Sequence, residues 1–241
     1  MSSSSENQSS EPAKENWGSV ERGLSGNYQL STRSIISEAW EKTKGTKWTI
    51  HLAMSIYFGI AILLAIAAAI PTFIIPEGIF LKTIIQLSMM AITTPLWAGI
   101  YMIGLRCSVN APIRADQVLD YFSIILPLLG LYLLKSVLIL VGFGLLIIPG
   151  IYLSVAYMLA IPLVADKNMG VWKALETSRK AITKHWFSIF WLTLLIVLIN
   201  FIAIIPLGLG LIWTVPMSII AFGILYRNIF GCSQQTRTET L

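Results

Sequence analysis

Long apolar blocks follow one another from residue 48 to residue 230, with short polar stretches between them. A helix needs about 20 apolar residues to cross the hydrocarbon core of a membrane. Six blocks meet or approach this length: Trp48–Ile70, Thr83–Leu105, Phe122–Val141 (or on to Ile148), Pro149–Ala165, Trp186–Pro206 and Leu211–Phe230. Strands of a membrane barrel would instead show a weak alternation of apolar and polar positions. The pattern therefore predicts an all-α polytopic membrane protein with six transmembrane helices.

The composition agrees with this prediction. The 241 residues are 56% hydrophobic and 12% charged, whereas soluble chains are about 45–50% apolar and about 25% charged. So few charged residues cannot cover the surface of a water-soluble fold. The composition argues against a soluble enzyme, a secreted disulfide scaffold and a nucleic-acid binder, and no nucleic-acid partner is expected.

Lysine and arginine are distributed unevenly between the loops. Fourteen of the 17 lie before the first block, between the second and third, between the fourth and fifth, or after the last, and Arg227, near the end of the last block, brings the number on this side to fifteen. Lys82 alone lies on the other side, and Lys135 lies within the third block. Cytosolic loops carry the excess of Lys and Arg, so we predict that both termini are cytosolic. The net charge of +5 then belongs to the cytosolic face, where it would attract anionic lipid headgroups.

Three regions follow from the same pattern. Residues 1–33 are polar and Ser-rich, and they lack the apolar run of a signal peptide. We predict a disordered cytosolic tail there, because scattered apolar residues cannot form a core. Residues 34–230 form the predicted six-helix membrane domain, and residues 231–241 form a short cytosolic C-terminal tail.

One unit is repeated three times in the membrane domain. Each copy has an amphipathic stretch, an outward helix, a Pro/Gly turn and a return helix with an internal proline; the stretches are Ser34–Gly45, Pro112–Tyr121 and Gly170–Lys184, and the prolines are Pro95, Pro162 and Pro216. All copies start on the same side, which predicts three hairpins related as parallel repeats. A proline removes one backbone hydrogen bond and kinks its helix.

The residues around the prolines of the first and third copies also match. Thr93 and Thr214 each precede a proline by two residues, and Arg106 and Arg227 each follow one by eleven. A threonine hydroxyl can bond a carbonyl that the proline leaves free. The two arginines are expected to end their helices at the lipid headgroups.

The third amphipathic stretch has two distinct faces. One face carries Val171, Leu175, Ser178 and Ile182, which are apolar apart from the small serine, and the basic positions are Lys173, Lys180 and Lys184. A basic helix with Trp172 beside its apolar face is typical of a helix lying in the membrane interface. We therefore predict interfacial amphipathic helices and name the three lysines as candidate contacts to anionic headgroups. Helices that merely orient each hairpin, or a docking surface for a protein partner, are the alternatives.

Lys135 and Asn200 are the candidate intramembrane polar residues. A lysine at the centre of a bilayer costs about 2.5–3.5 kcal/mol on insertion scales. If the third helix ends near Val141, Lys135 can extend outward to the headgroups. If the helix runs to Ile148, Lys135 is central and must face the bundle or a water-filled cavity.

No catalytic motif stands out. The chain has no H-E-x-x-H, no G-x-S-x-G and no Gly-rich phosphate loop. No catalytic, cofactor-binding or metal-binding residue is predicted, and no cofactor is expected. An enzyme would require Asp116, Asp120, Asp166 and His185 to meet in one cleft.

Three segments carry a resemblance to known proteins: Ile148–Leu153, Ala160–Asp166 and Gly170–Ser178. They resemble a widespread family of uncharacterised bacterial six-helix integral membrane proteins. The chain is also similar to the membrane domain that precedes the catalytic barrel of some bacterial glycerophosphodiester phosphodiesterases. The resemblance covers roughly residues 34 to 230 and implies the six-helix fold and a location in the bacterial inner membrane. It implies no chemistry, because catalysis in those enzymes belongs to a separate soluble domain.

Two functions follow from these features. The first is a non-enzymatic membrane protein that organises lipid or partner proteins through its basic cytosolic face. The second is a small transporter or channel component that uses Lys135 and the proline-kinked helices. A water-filled cavity at Lys135 would favour transport, whereas a dry, close-packed bundle would favour the first function. The oligomeric state is not predicted.

Overall fold

The computed structural model describes residues 17–74 and 78–238, and this part of the chain is helical without strands. The α-helices are α1 (Val20–Ser25), α2 (Thr32–Ile74), α3 (Ile79–Ser108), α4 (Ile125–Leu145), α5 (Ile147–Ala156), α6 (Ala160–Lys167), α7 (Val171–Lys184), α8 (Trp186–Ile204), α9 (Leu211–Phe230) and α10 (Gln234–Thr238). A 3₁₀ helix, Ala115–Ile124, precedes α4.

Six helical stretches within these residues are long and apolar enough to cross a membrane. They are Thr32–Ala69, Ile79–Ser108, Ala115–Leu145, Ile147–Lys167, Trp186–Ile204 and Leu211–Phe230. A helix pairs all of its own backbone groups, which is why an apolar chain in lipid adopts this structure. The predicted all-α polytopic fold is confirmed.

The three amphipathic stretches take three different forms. The first is not a separate helix, because α2 runs without a break for 43 residues and includes it. Ile35, Ala39 and Thr43 recur every four residues and are buried, so this end of α2 packs against protein. The second stretch is the 3₁₀ helix, whose Val118 is fully buried against α3 at Gly99. The third stretch is α7.

The bundle is centred on α9, which packs against both α2 and α3. Two glycines allow α3 and α9 to approach closely. A Cβ atom at Gly223 would overlap the backbone of Gly104, and a Cβ atom at Gly104 would overlap the backbone of Ile219. Small residues at such crossings are typical of membrane helix pairs. The repeat relationship between the hairpins stays a prediction.

The predicted N-terminal tail is wrong for residues 17–33, which fold onto the bundle. Ser19 caps α1 by accepting a hydrogen bond from the amide of Arg22 (3.2 Å). The Tyr28 hydroxyl donates to the carbonyl of Ala181 in α7 (2.7 Å), and the amide of Gly18 donates to the carbonyl of Arg227 (3.1 Å). A few specific hydrogen bonds and one buried tyrosine therefore order a segment with too few apolar residues for its own core. The rest of the predicted tail, residues 1–16, lies outside the described residues.

The C-terminal segment is also packed against the membrane domain. Thr236 of α10 is buried, and its hydroxyl donates to the Asp166 carboxylate (2.6 Å). The amide of Ser233 donates to the same carboxylate (3.2 Å). The prediction of a separate tail is therefore corrected as far as residue 236, because a buried carboxylate needs these donors.

The fourth predicted helix is two helices, α5 and α6, separated by a turn at residues 157–159. Pro162 lies in the first turn of α6 and has no N–H to donate to the carbonyl of Met158. The break leaves the carbonyl of Ala156 without its usual helical donor, and the buried Ser178 hydroxyl of α7 donates to it (2.7 Å). Helix α7 therefore completes the hydrogen bonding of its broken neighbour.

Candidate functional site

The buried side of α7 contacts protein and is not available for lipid. Leu175, Ser178 and Ile182 are buried together with Ala174 and Ala181, and the neighbouring elements are α1, α4, α5, α6 and α8. This differs from the prediction of a helix whose apolar face enters the interface. Trp172 alone of its large apolar side chains is strongly exposed, at 64%.

The three predicted lysines lie on the outer side of α7. Lys173, Lys180 and Lys184 are all exposed. The Glu176 carboxylate accepts two hydrogen bonds from Arg179 (2.8 and 2.9 Å) and pairs with Lys180 (3.3 Å). Arg179 holds the pKa of Glu176 down to about 2, so Glu176 stays ionised at neutral pH. The carboxylate offsets part of the positive charge at Lys180, and Lys173 and Lys184 have no such partner among the described residues.

A basic groove lies between the first part of α2 and α8. Its volume is about 650 Å³. Arg33, Glu41 and Lys44 supply charges, Thr32 and Ser37 supply hydroxyls, and Ile36, Trp40, Leu195 and Ile199 supply apolar wall. The sequence places Ile36, Trp40 and Lys44 at four-residue spacing on α2. Nothing in the sequence pairs that face with α8.

Lys135 lies at the midpoint of α4. The helix ends at Leu145, between the two ends considered from the sequence, so Lys135 has ten residues on either side. At 1.5 Å per residue this is about 15 Å from each end. Its side chain is half-buried and forms no hydrogen bond or ion pair with any residue that the structure describes.

Asn200 is bonded within its own hairpin and not to Lys135. Its side-chain amide donates to the carbonyl of Ile196 (2.9 Å) and to the Ser218 hydroxyl of α9 (2.7 Å). Ser218 in turn donates to the carbonyl of Thr214 (2.6 Å). The Oδ1 atom of Asn200 is buried without a partner in the described part of the chain. The amide therefore links α8 to α9 and leaves one acceptor unused.

The carbonyl that Pro216 leaves without a donor is bonded by a residue from another helix. Its missing N–H would have bonded the carbonyl of Ile212, and Nε2 of His51 in α2 lies 2.9 Å from that oxygen. Because a carbonyl only accepts, His51 donates this hydrogen bond. The Thr214 hydroxyl, which the sequence suggested for such a role, is buried without a partner among the described residues.

The other two prolines have different surroundings. Helix α3 continues through Pro95, and the hydroxyls of Thr93 and Thr94 donate to the carbonyls of Met89 and Met90 (2.8 and 2.7 Å). These threonines bond the preceding turn and not the carbonyl of Ala91 that the proline leaves free. Pro162 coincides with the break between α5 and α6.

The two arginines of the return helices are buried, which corrects their expected position at the headgroups. Arg106 is 3% exposed and Arg227 is 9% exposed. Arg227 donates two hydrogen bonds to the Glu38 carboxylate (2.7 and 2.9 Å) and a third to the carbonyl of Ser108. It therefore joins α9 to α2 and α3. The sequence separation of 189 residues between Arg227 and Glu38 left no local signal for this pair.

Asp166 lies at the centre of a second buried polar group. Its carboxylate accepts hydrogen bonds from Tyr226 (3.0 Å), Thr236 (2.6 Å) and the amide of Ser233 (3.2 Å). Asp120 and Arg106 join it in lining a cavity of about 140 Å³. These contacts hold the C-terminal segment against α6 and α9.

The residues that an enzyme would have to collect do not meet in one cleft. Asp116 pairs with Arg114 on the surface, and His185 bonds the carbonyl of Gly26 (3.0 Å). Within residues 17–74 and 78–238, no group of three or more His, Cys, Asp or Glu side chains is placed to hold a metal ion.

Comparison with known proteins adds no relative. No family model, no curated protein and no solved structure matches this chain. The resemblance to the six-helix membrane family therefore stays a prediction, and the chain is an integral membrane protein on the evidence of its six apolar helices.

Proposed function

We propose that this membrane protein binds anionic phospholipids at the groove between α2 and α8 and has no catalytic activity of its own. The observation that carries the proposal is the composition of the groove, where Arg33 and Lys44 accompany an apolar wall. A phospholipid presents the same combination, a charged headgroup joined to hydrocarbon. The lipid bound in this groove would organise the surrounding membrane, or a protein partner, around the basic end of the bundle. The basic end is the end that carries fifteen of the 17 Lys and Arg residues.

The geometry of the groove fits a lipid better than a small ion. A volume of about 650 Å³ lies within the usual range for organic ligands, roughly 300–1,000 Å³. Trp40 is 45% exposed, and tryptophan is enriched where headgroups meet hydrocarbon. Glu41 opposes one of the two cations, which leaves one net positive charge for a singly charged headgroup.

The basic end of the bundle is proposed to face the cytosol of a bacterium, across the inner membrane. The fifteen-to-one distribution of Lys and Arg supports this orientation. The anionic lipids of the cytoplasmic leaflet would then lie beside the groove and the α7 lysines.

The orientation is tested by cysteine labelling after Cys107 and Cys232 are replaced by serine. We expect Lys82→Cys to react with a membrane-impermeant maleimide on intact spheroplasts. Ser34→Cys, on the opposite side, should react only after the membrane is permeabilised. The reverse pattern would place the basic end outside and contradict the proposal.

The groove is tested with the double variant Arg33→Gln, Lys44→Gln. At about 1 kcal/mol per charge, we expect phosphatidylglycerol to bind roughly 30-fold more weakly, and phosphatidylcholine to be little changed. Native mass spectrometry of the purified protein counts each bound lipid. Lys82→Gln, which removes a charge elsewhere, is the matched control. Equal phosphatidylglycerol binding by the double variant and the parent would exclude the groove as the site.

The α7 lysines are expected to add a weaker, salt-sensitive attraction. Replacing Lys173, Lys180 and Lys184 by glutamine should weaken association with anionic vesicles by at most about 1 kcal/mol per charge. Lys180 should contribute least, because Glu176 already pairs with it. Single and triple variants are compared by vesicle flotation at low and high salt. Retention of anionic vesicles at the parental level at low salt would remove α7 from the lipid surface.

A second candidate function, transport, is favoured by one observation. Lys135 lies at the midpoint of an apolar helix and has no partner among the described residues. A cation kept in such a place is typical of residues that line ion or substrate pathways. We propose a small transporter or channel component as the alternative, with Lys135 attracting an anion.

A further inference from the structure

A cavity of about 350 Å³ lies between the first and second hairpins. It is lined by residues of α2, α3, α4 and α6: Tyr57, Gln86, Met89, Met90, Thr93, Thr94, Trp97, Tyr132 and Ile161. None of these side chains is charged. The volume is near the lower end of the range for organic ligands, and the mixture of aromatic, sulfur and polar groups is typical of a ligand site.

Three polar side chains in this cavity have no hydrogen-bond partner among residues 17–74 and 78–238. Tyr57 comes from α2, Gln86 from α3 and Tyr132 from α4, and none of them bonds another residue in the described part of the chain. Thr93 and Thr94 differ, because their hydroxyls already donate within α3. Two phenol O–H groups and one amide are therefore available from three different helices. Polar groups in apolar helices are costly, so their convergence on one cavity points to a ligand.

The cavity lies beside two of the helix prolines, Pro95 and Pro162. Thr93, Thr94 and Trp97 flank Pro95 in α3, and Ile161 directly precedes Pro162 in α6. Each proline lacks the N–H that would bond a carbonyl of the preceding turn. The Thr-x-Pro pattern in the sequence marks one wall of this cavity, and the α5–α6 break marks another.

We propose that this cavity binds an uncharged, membrane-soluble molecule whose polar part carries carbonyl oxygens. The hydroxyls of Tyr57 and Tyr132 and the amide N–H of Gln86 would donate to those oxygens. Trp97, Met89 and Met90 would contact its apolar part. A quinone ring and the ester groups of a diacylglycerol share this chemistry. A phosphate headgroup does not belong here, because the cavity offers no cation. The inference is independent of the phospholipid groove, which shares no residue with it.

The test uses the purified full-length protein in detergent micelles with three probes. Decylubiquinone represents the quinones, dioctanoylglycerol represents the esters, and dioctylglycerol ether has the same chains without carbonyl oxygens. Dissociation constants come from isothermal titration. We expect the quinone, the ester or both to bind, and the ether to bind about two- to tenfold more weakly than the ester if the ester is the ligand. Of the quinone and the ester, the probe with the lower dissociation constant shows which of the two classes the cavity binds.

Variants then test the residues. Tyr57→Phe, Tyr132→Phe and Gln86→Leu remove single hydrogen-bonding groups and keep the side-chain volume, so each should raise the dissociation constant about two- to tenfold. Tyr152→Phe, which removes a hydroxyl that contacts Thr183 of α7 and not this cavity, should bind as the parent does. Thermal unfolding without ligand shows that each variant is folded. Absence of binding by both carbonyl probes, or equal affinity in parent and all three cavity variants, would overturn the proposal.

Discussion

Replacement of Arg227 by methionine is expected to lower the free energy of unfolding by about 3 kcal/mol. Removing one member of a buried ion pair typically costs about 3–5 kcal/mol, because the remaining charge loses its partner. The lower end applies here, since the Glu38 side chain is 31% exposed and Lys42 remains 3.8 Å away. Methionine keeps most of the buried stem of Arg227 and removes three hydrogen bonds that join α9 to α2 and α3. Unfolding by SDS titration in mixed micelles measures the change.

Arg114→Met is the matched control for this variant. Arg114 pairs with Asp116 where both side chains are more than half exposed, and solvent screens the attraction between such exposed charges, so the pair adds little to stability. We therefore expect little change in unfolding for Arg114→Met. An equally small effect of Arg227→Met would mean that the buried pair does not hold the three helices together.

The six spans could be predicted because a membrane restricts the structures that an apolar segment can adopt. An apolar segment of sufficient length has to pair its backbone groups internally, so length and hydropathy identify a helix. The start of the first helix was predicted poorly. Helix α2 begins at Thr32, 16 residues before Trp48, because its first turns pack against α9 and the 3₁₀ helix and need no apolar run.

Contacts between distant segments could not be predicted in the same way. His51 and Ile212 are 161 residues apart, and no local pattern joins them. The sequence did contain a partial signal: Pro216 leaves the carbonyl of Ile212 without a donor, and few side chains in the apolar blocks can donate. Listing each carbonyl freed by a proline against the available donors would have made His51 a candidate.

The N-terminal segment shows the same limit. Composition identified residues 17–33 as unable to form a core, which is correct for the segment by itself. Tyr28 and Gly18 gain their stability from α7 and α9, whose surfaces exist only after the bundle has formed. The basic groove likewise depends on α2 meeting α8, so its charged residues could be named but not assembled.

Replacement of Lys135 by leucine is expected to leave the protein folded and inserted and to make insertion easier by about 2.5–3.5 kcal/mol, the cost of a central lysine on insertion scales. The reason is that Lys135 has no partner in the described residues whose loss would offset this gain. If the protein is a transporter or channel component, the same change abolishes flux, because the charge that attracts the anion is gone. Membrane-fraction yield and thermal unfolding measure the first effect, and chloride efflux from proteoliposomes measures the second.

Lys135→Arg tests whether a positive charge at this position is enough to support chloride efflux. Arginine keeps a positive charge at the midpoint of α4, so a transport pathway should retain chloride efflux in Lys135→Arg and lose it in Lys135→Leu. Efflux that is absent from the parent, or equal in all three proteins, would exclude Lys135 from chloride transport. Loss of folding in Lys135→Leu would contradict both proposed functions, lipid binding and transport. In both of them Lys135 is unpaired, whereas loss of folding would mean that its side chain makes a stabilising contact.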